Sequence, residues 1–194
     1  HTEHSIAVGN PFTGDDRMMY VDGADDYLSM PHSSDWTIGS GDATIEFWIE
    51  TSDSPGDILY NTSSTSPYAG WLISIGFSAN GRISFFNASS SSSEWVTMSA
   101  AINDGLFHHV AVVKDGTSLK FYLDGNLDSS HTLSHTCVAS DVPLVVVRHP
   151  TSSSRKLQGH LYDIRIVNGT AVYSGDFTPP SGKLTTTGGT YPST

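Results

Sequence analysis

The chain is poor in the residues that would tie it to several common protein classes. Its single cysteine, Cys137, rules out an intrachain disulfide, so the fold must rest on its core. Lys and Arg number nine against twenty Asp and Glu, for a formal charge of −11. A phosphate backbone would be repelled over most of such a surface, and this argues against nucleic acid as a partner. No apolar run approaches the length needed to cross a bilayer, so membrane insertion is not expected. No amphipathic stretch of helical length is present either, which excludes helix bundles and parallel α/β folds.

What is there instead is Ser, Thr, Gly and Asp around short apolar runs, within 194 residues and at 37% hydrophobic content. This suits one core built from strands and turns. Ala43 to Glu50 alternates, with Ile45, Phe47 and Ile49 on one face and Thr44, Glu46, Trp48 and Glu50 on the other. The first face is expected to be core, and Glu46 and Glu50 on the second to belong to a solvated or edge face. Similar runs recur at 18–21, 27–30, 57–60, 71–75, 82–86, 95–98, 107–114, 119–123, 143–147 and 160–167, separated by Gly, Asn, Pro or Ser clusters. Asp115-Gly116 and Asp124-Gly125 are hairpin signals. The pattern predicts an all-β, two-sheet antiparallel sandwich over residues 18–183, preceded by a leader or linker at 1–17 and followed by a tail at 184–194.

Several side chains qualify as site residues on chemical grounds. Asp22, Asp25 and Asp26 cluster at the tip of the first hairpin, and hard cations such as Ca2+ take several oxygen ligands. The same acids could equally cap the turn or pair with Arg17 or Arg165. Sugar recognition needs aromatic faces, and Trp36, Tyr60, Tyr68, Trp71 and Trp95 lie in or beside loops. Tyr68 and Trp95, each beside Ser-rich sequence, are the better candidates, with Trp71 next. Glu46 and Glu50 superficially suggest a glycanase pair. However, four residues along a strand separate them by about 13 Å, against about 5 to 5.5 Å in a retaining pair. His108 and His109 point to opposite faces of a strand and cannot share one metal ion. Asn61-Thr62-Ser63, Asn87-Ala88-Ser89 and Asn168-Gly169-Thr170 match the N-glycosylation pattern, which arises easily in such a sequence.

Four segments resemble the laminin-G-like domains of the concanavalin A-like lectin and glucanase superfamily, whose fold is a jelly roll. They are Tyr20 to Leu28, Ala43 to Ile49, Asp104 to Val113 with Leu119 to Gly125, and Gly159 to Ile166 with Phe177 to Pro180. The resemblance implies a concanavalin A-like β-sandwich and adds Asp163 to Asp22 as a calcium ligand. It implies a non-catalytic, lectin-like recognition or adhesion module for a cell-surface glycan or glycoprotein, located outside the cell, on a cell surface or on a virion. The closing segment is also similar to repeats in phage tail and virion proteins and bacterial surface proteins. Two alternatives stay open: an architectural virion protein packed against neighbouring subunits, and a glycan hydrolase or lyase. Where many relatives carry a small turn after the late apolar strand, Val147-Arg148-His149-Pro150 stands here, so the loop to Lys156 is expected to be shaped differently.

Overall fold

A computed structural model describes residues 18–63, 68–150, 152, 154–181 and 184. The expected leader at 1–17, and the tail beyond residue 184, lie outside the described residues. Leu184, the first residue of the expected tail, is buried, and its N–H donates to Asp163 Oδ2 at 2.7 Å.

Twelve strands are described: β1 Met19–Asp22, β2 Leu28–Met30, β3 Ala43–Glu50, β4 Gly56–Ser63, β5 Ala69–Ile75, β6 Ile83–Ser89, β7 Ser92–Thr97, β8 Phe107–Asp115, β9 Ser118–Leu123, β10 Asn126–Thr132, β11 Leu144–Val146 and β12 Gln158–Asn168. They form two six-stranded antiparallel sheets, in the orders β1-β12-β3-β8-β9-β10 and β2-β11-β4-β5-β6-β7. No helix among the described residues is long and apolar enough to cross a membrane.

Alternation places one side of each strand in the space between the sheets. Ile45, Phe47, Ile49, Val110, Val112 and Phe121 come from the first sheet; Ile58, Trp71, Ile73, Ile75, Ile83 and Phe85 come from the second. Each large side chain buried here contributes about 1.5–3 kcal/mol. Gly70, at φ +93°, marks a point where only glycine fits, because a Cβ would lie 1.9 Å from the Asn61 carbonyl oxygen.

The other face of β3 is not solvated, contrary to the reading of its alternation. Thr44 and Glu46 are fully buried and Trp48 nearly so. The exit segment after β12 folds back over this face. Thr44 Oγ1 donates to the Thr170 carbonyl at 3.0 Å and accepts from the Val172 N–H at 2.9 Å, and Tyr173 stacks on Phe177 at 3.6 Å. Glu46 accepts bonds from Arg165 Nε at 2.7 Å and from the Tyr173 hydroxyl at 2.8 Å, while His109 Nε2 lies 3.1 Å away. Burial alone would raise the Glu46 pKa. The His109 bond, the charges of Arg165 and His109 and the Tyr173 bond outweigh it and hold the carboxyl below its usual range. A carboxylate locked this way is a structural ion pair.

Candidate functional site

Four separated segments meet at one end of the sandwich and leave a groove of about 600 Å³. One wall is the 3-10 turn Ser34–Trp36 with its flanks, contributing His32, Ser34 and Thr37. Ser33 caps that turn by accepting the Asp35 N–H at 3.2 Å. Asn168, at the end of β12, donates from Nδ2 to the carbonyls of Ser34 and Thr37 and anchors the turn to the sheet. Ser63 at the end of β4, Tyr68 just before β5, Ala69 at its start, and Ser90 from the β6–β7 turn line the groove as well. Val138, Ala139, Ser140 and Asp141 complete the lining. That stretch is held by Gly70 N–H donating to the Val138 carbonyl at 2.7 Å and Val138 N–H donating to the Ala88 carbonyl at 3.0 Å.

Tyr68 is 40% exposed and is the aromatic face of the groove. The serine and threonine hydroxyls, the His32 imidazole and the Asp141 carboxylate supply hydrogen-bonding groups around it. An aromatic ring with several polar groups converging on one concavity has the chemistry of a small-ligand site. Cys137 takes no part as a nucleophile: burial, against the opposing charge of Lys114, pushes its thiol up to about 12.

The other two proposed aromatic ligands are placed elsewhere. Trp71 has zero exposure, faces the core and donates from Nε1 to the Trp36 carbonyl at 2.9 Å, so it cannot stack on a ligand. It stands near the start of β5, and its position there falls on the inner face. Trp95 sits half-buried on the outer face of the second sheet, packed with Phe77 and Phe86 and away from the groove.

Asp22, Asp25 and Asp26 are exposed, and one carboxylate oxygen from each can be chosen so that all lie within 4.8 Å of one another. Asp22 Oδ1 accepts the Ala24 N–H at 2.7 Å and Asp26 Oδ2 accepts the Asp22 N–H at 3.1 Å, which leaves lone pairs on both carboxylates. Three carboxylates fit a hard cation and supply three of the six to eight oxygens that calcium takes. Asp163 does not fit this set. Asp22 pairs with Gln158 across β1 and β12, and Asp163 lies five residues further along, about 15 Å away, with its carboxylate bonded to the Leu184 N–H. The acidic turn stands where β12 begins and the groove where β12 ends, so the two lie at opposite ends of the sandwich.

The sequon asparagines serve as structural amides. Asn61 and Asn87 are fully buried, with Nδ2 donating to the Val142 and His135 carbonyls, and Asn168 anchors the 3-10 turn. His108 and His109 diverge as expected, His109 toward Glu46 and His108 toward Asp124 and Asp104. The groove residues His32, Ser140 and Asp141 had no signal in the sequence, because they come from segments about a hundred residues apart.

Two six-stranded antiparallel sheets packed face to face define a jelly-roll sandwich. Residues 22–180 match the laminin G family model described as concanavalin A-like lectin/glucanases superfamily, and the chain belongs to that family. Among solved structures it is similar to domains LG4-5 of the mouse laminin α1 chain, at 20% identity and TM-score 0.58, covering 78% of this chain and 43% of that one. It is also similar to the binding domain of botulinum neurotoxin serotype G, at 14% identity and TM-score 0.60, covering 83% and 40%. The binding domain of Paraclostridial Mosquitocidal Protein 1 aligns at 14% identity and TM-score 0.55, covering 76% and 42%. At these identities the likeness shows the fold, and the chain spans less than half the length of each. No curated protein matches the sequence.

Proposed function

We propose that this domain is a non-catalytic recognition module that binds a glycan, free or on a glycoprotein, at a cell surface, and that the Tyr68 groove is where it binds. The observation that carries the reading is the exposed Tyr68 ring on a concave, hydroxyl-lined groove. A pyranose offers an apolar face for such a ring and hydroxyls for Ser34, Ser63, Ser90 and Asp141. Two of the similar structures are binding domains of toxins, which agrees with a recognition role. Glu46, bound to Arg165, Tyr173 and His109, is not free for acid–base chemistry, which favours binding over hydrolysis. The placement we favour is extracellular or on the surface of a cell or virion.

In the same reading, calcium bound by Asp22, Asp25 and Asp26 stabilises the far end of the sandwich and does not touch the ligand. A glycan array probed with the calcium-loaded domain and with Tyr68→Ala tests the proposal. Binding that Tyr68→Ala abolishes while its melting temperature stays unchanged is the expected result. A blank array with folded protein, or retention of binding by the variant, would overturn the groove as the glycan site.

A further inference from the structure

The outer face of the second sheet holds a buried carboxylate at the end opposite the groove. Asp57, at the start of β4, is fully buried. Ser74 stands directly opposite it on β5, with a buried Oγ that has no hydrogen-bond partner. Phe77, 47% exposed, stacks on Trp95 at 4.2 Å and 24°. Between this aromatic pair and the carboxylate lies Arg155. Its carbon Cζ is 4.3 Å from the Phe77 ring centre and 5.9 Å from that of Trp95, and its Nη2 is 2.5 Å from Asp57 Oδ1.

A buried acid below and a stacked aromatic pair beside it, Phe77 being the nearer ring, make a slot suited to a planar cation. Arg155 fills the slot imperfectly. A guanidinium prefers to pair with a carboxylate through two parallel bonds. Here only one is made, and the atoms available for a second, Asp57 Oδ2 and Arg155 Nε, are both buried without partners. Arg155 reaches the slot from a segment with weak backbone support: the His149 N–H to Arg155 carbonyl and Leu157 N–H to Val147 carbonyl distances are 3.4 and 3.5 Å. Its tether therefore fixes an approach that an untethered guanidinium need not share. The chain's charge of −11 also favours a basic partner.

We propose that Asp57, Phe77 and Trp95 form an arginine-binding slot, which Arg155 occupies in cis and from which an arginine side chain of a partner protein displaces it. The slot is independent of the glycan groove.

The test uses the whole chain carrying Arg155→Ala, titrated with arginine blocked at both ends and with blocked lysine as control, and read by the resonances of Phe77 and Trp95. Blocked arginine should bind the variant at least about tenfold more tightly than blocked lysine does, and more tightly than it binds the unaltered chain. Adding Asp57→Asn should abolish this binding. Equal affinities, or no binding to folded Arg155→Ala, would overturn the slot. Should Arg155→Ala fail to fold, methylguanidinium should restore folding where methylammonium at equal ionic strength does not; rescue by both or by neither counts against the proposal. In the unaltered chain, an arginine-rich peptide should shift the same resonances, and no shift at millimolar peptide would make Arg155 a permanent structural residue.

Discussion

Trp71 Nε1 donates to the Trp36 carbonyl oxygen at 2.9 Å, joining the centre of β5 to the 3-10 turn that walls the groove. The bond makes Trp71 both a core residue and a brace for the turn that lines the groove. Trp71→Phe removes the bond while keeping an aromatic ring, and should cost about 1–3 kcal/mol of stability in urea unfolding. Trp71→Ala should cost about 3–5 kcal/mol. A loss below about half a kcal/mol for Trp71→Ala would contradict its placement in the core.

Calcium binding at the acidic turn is tested by thermal unfolding, first in excess EDTA and then with added calcium. A cation held only by the folded state raises stability by about 2.7 kcal/mol at a hundred times its dissociation constant. The rise should vanish in Asp25→Asn, whose side chain makes no bond within the turn that the variant would break. It should persist in Asp163→Asn, because Asp163 stands about 15 Å along β12. Loss of the calcium effect in Asp163→Asn would contradict the strand register.

His108 Nδ1 lies 2.8 Å from Asp124 Oδ2, and its Nε2 lies 3.2 Å from Asp104 Oδ1. The Asp124 bond, opposed by partial burial and helped by both carboxylate charges, raises the His108 pKa above its usual value. A raised folded-state pKa stabilises the fold fully below the unfolded value of about 6.5 and ceases to do so as pH climbs through the folded value. His108→Gln should therefore lose up to about 1 kcal/mol near pH 5.5 and much less near pH 8.5. Urea midpoints at the two pH values would show it, and a larger loss at high pH would refute the assignment.

Asp57 behaves in the opposite sense to a well-paired acid. Burial pushes its carboxyl up to about 7 despite the charge and hydrogen bond of Arg155, since Oδ2 has no partner. The folded state then holds a proton that the unfolded chain gives up near pH 4. This group's contribution to stability falls as pH rises from about 4 to about 7 and stays low above that. Asp57→Asn should gain on the unaltered protein across that window, by a few kcal/mol at most. A constant difference between pH 4.5 and 7.5 would show that Asp57 does not take up the proton.

Much of the sandwich was legible in the sequence because alternation and turn chemistry are local. Ile45, Phe47 and Ile49 announced their inner face, and Asp115-Gly116 its hairpin. The strand β10 was harder to see: Asn-Leu-Asp-Ser-Ser-His-Thr has one large apolar residue and pairs at an edge, where little burial is demanded. Glu46 was misread for the converse reason. Alternation assigns a face but does not say what covers it, and Tyr173, 127 residues away, covers this one.

Taken alone, then, the sequence determined the all-β class, the strand order's raw material and the acidic turn at Asp22 to Asp26, since each depends on residues within a few positions of one another. Only the tertiary structure decided that Tyr68 and not Trp71 faces a groove, that Asp163 lies far from Asp22, and that Arg155 reaches Asp57. Those relations join residues as much as 141 positions apart along the chain, and they are set by strand register and sheet packing, which no local pattern encodes.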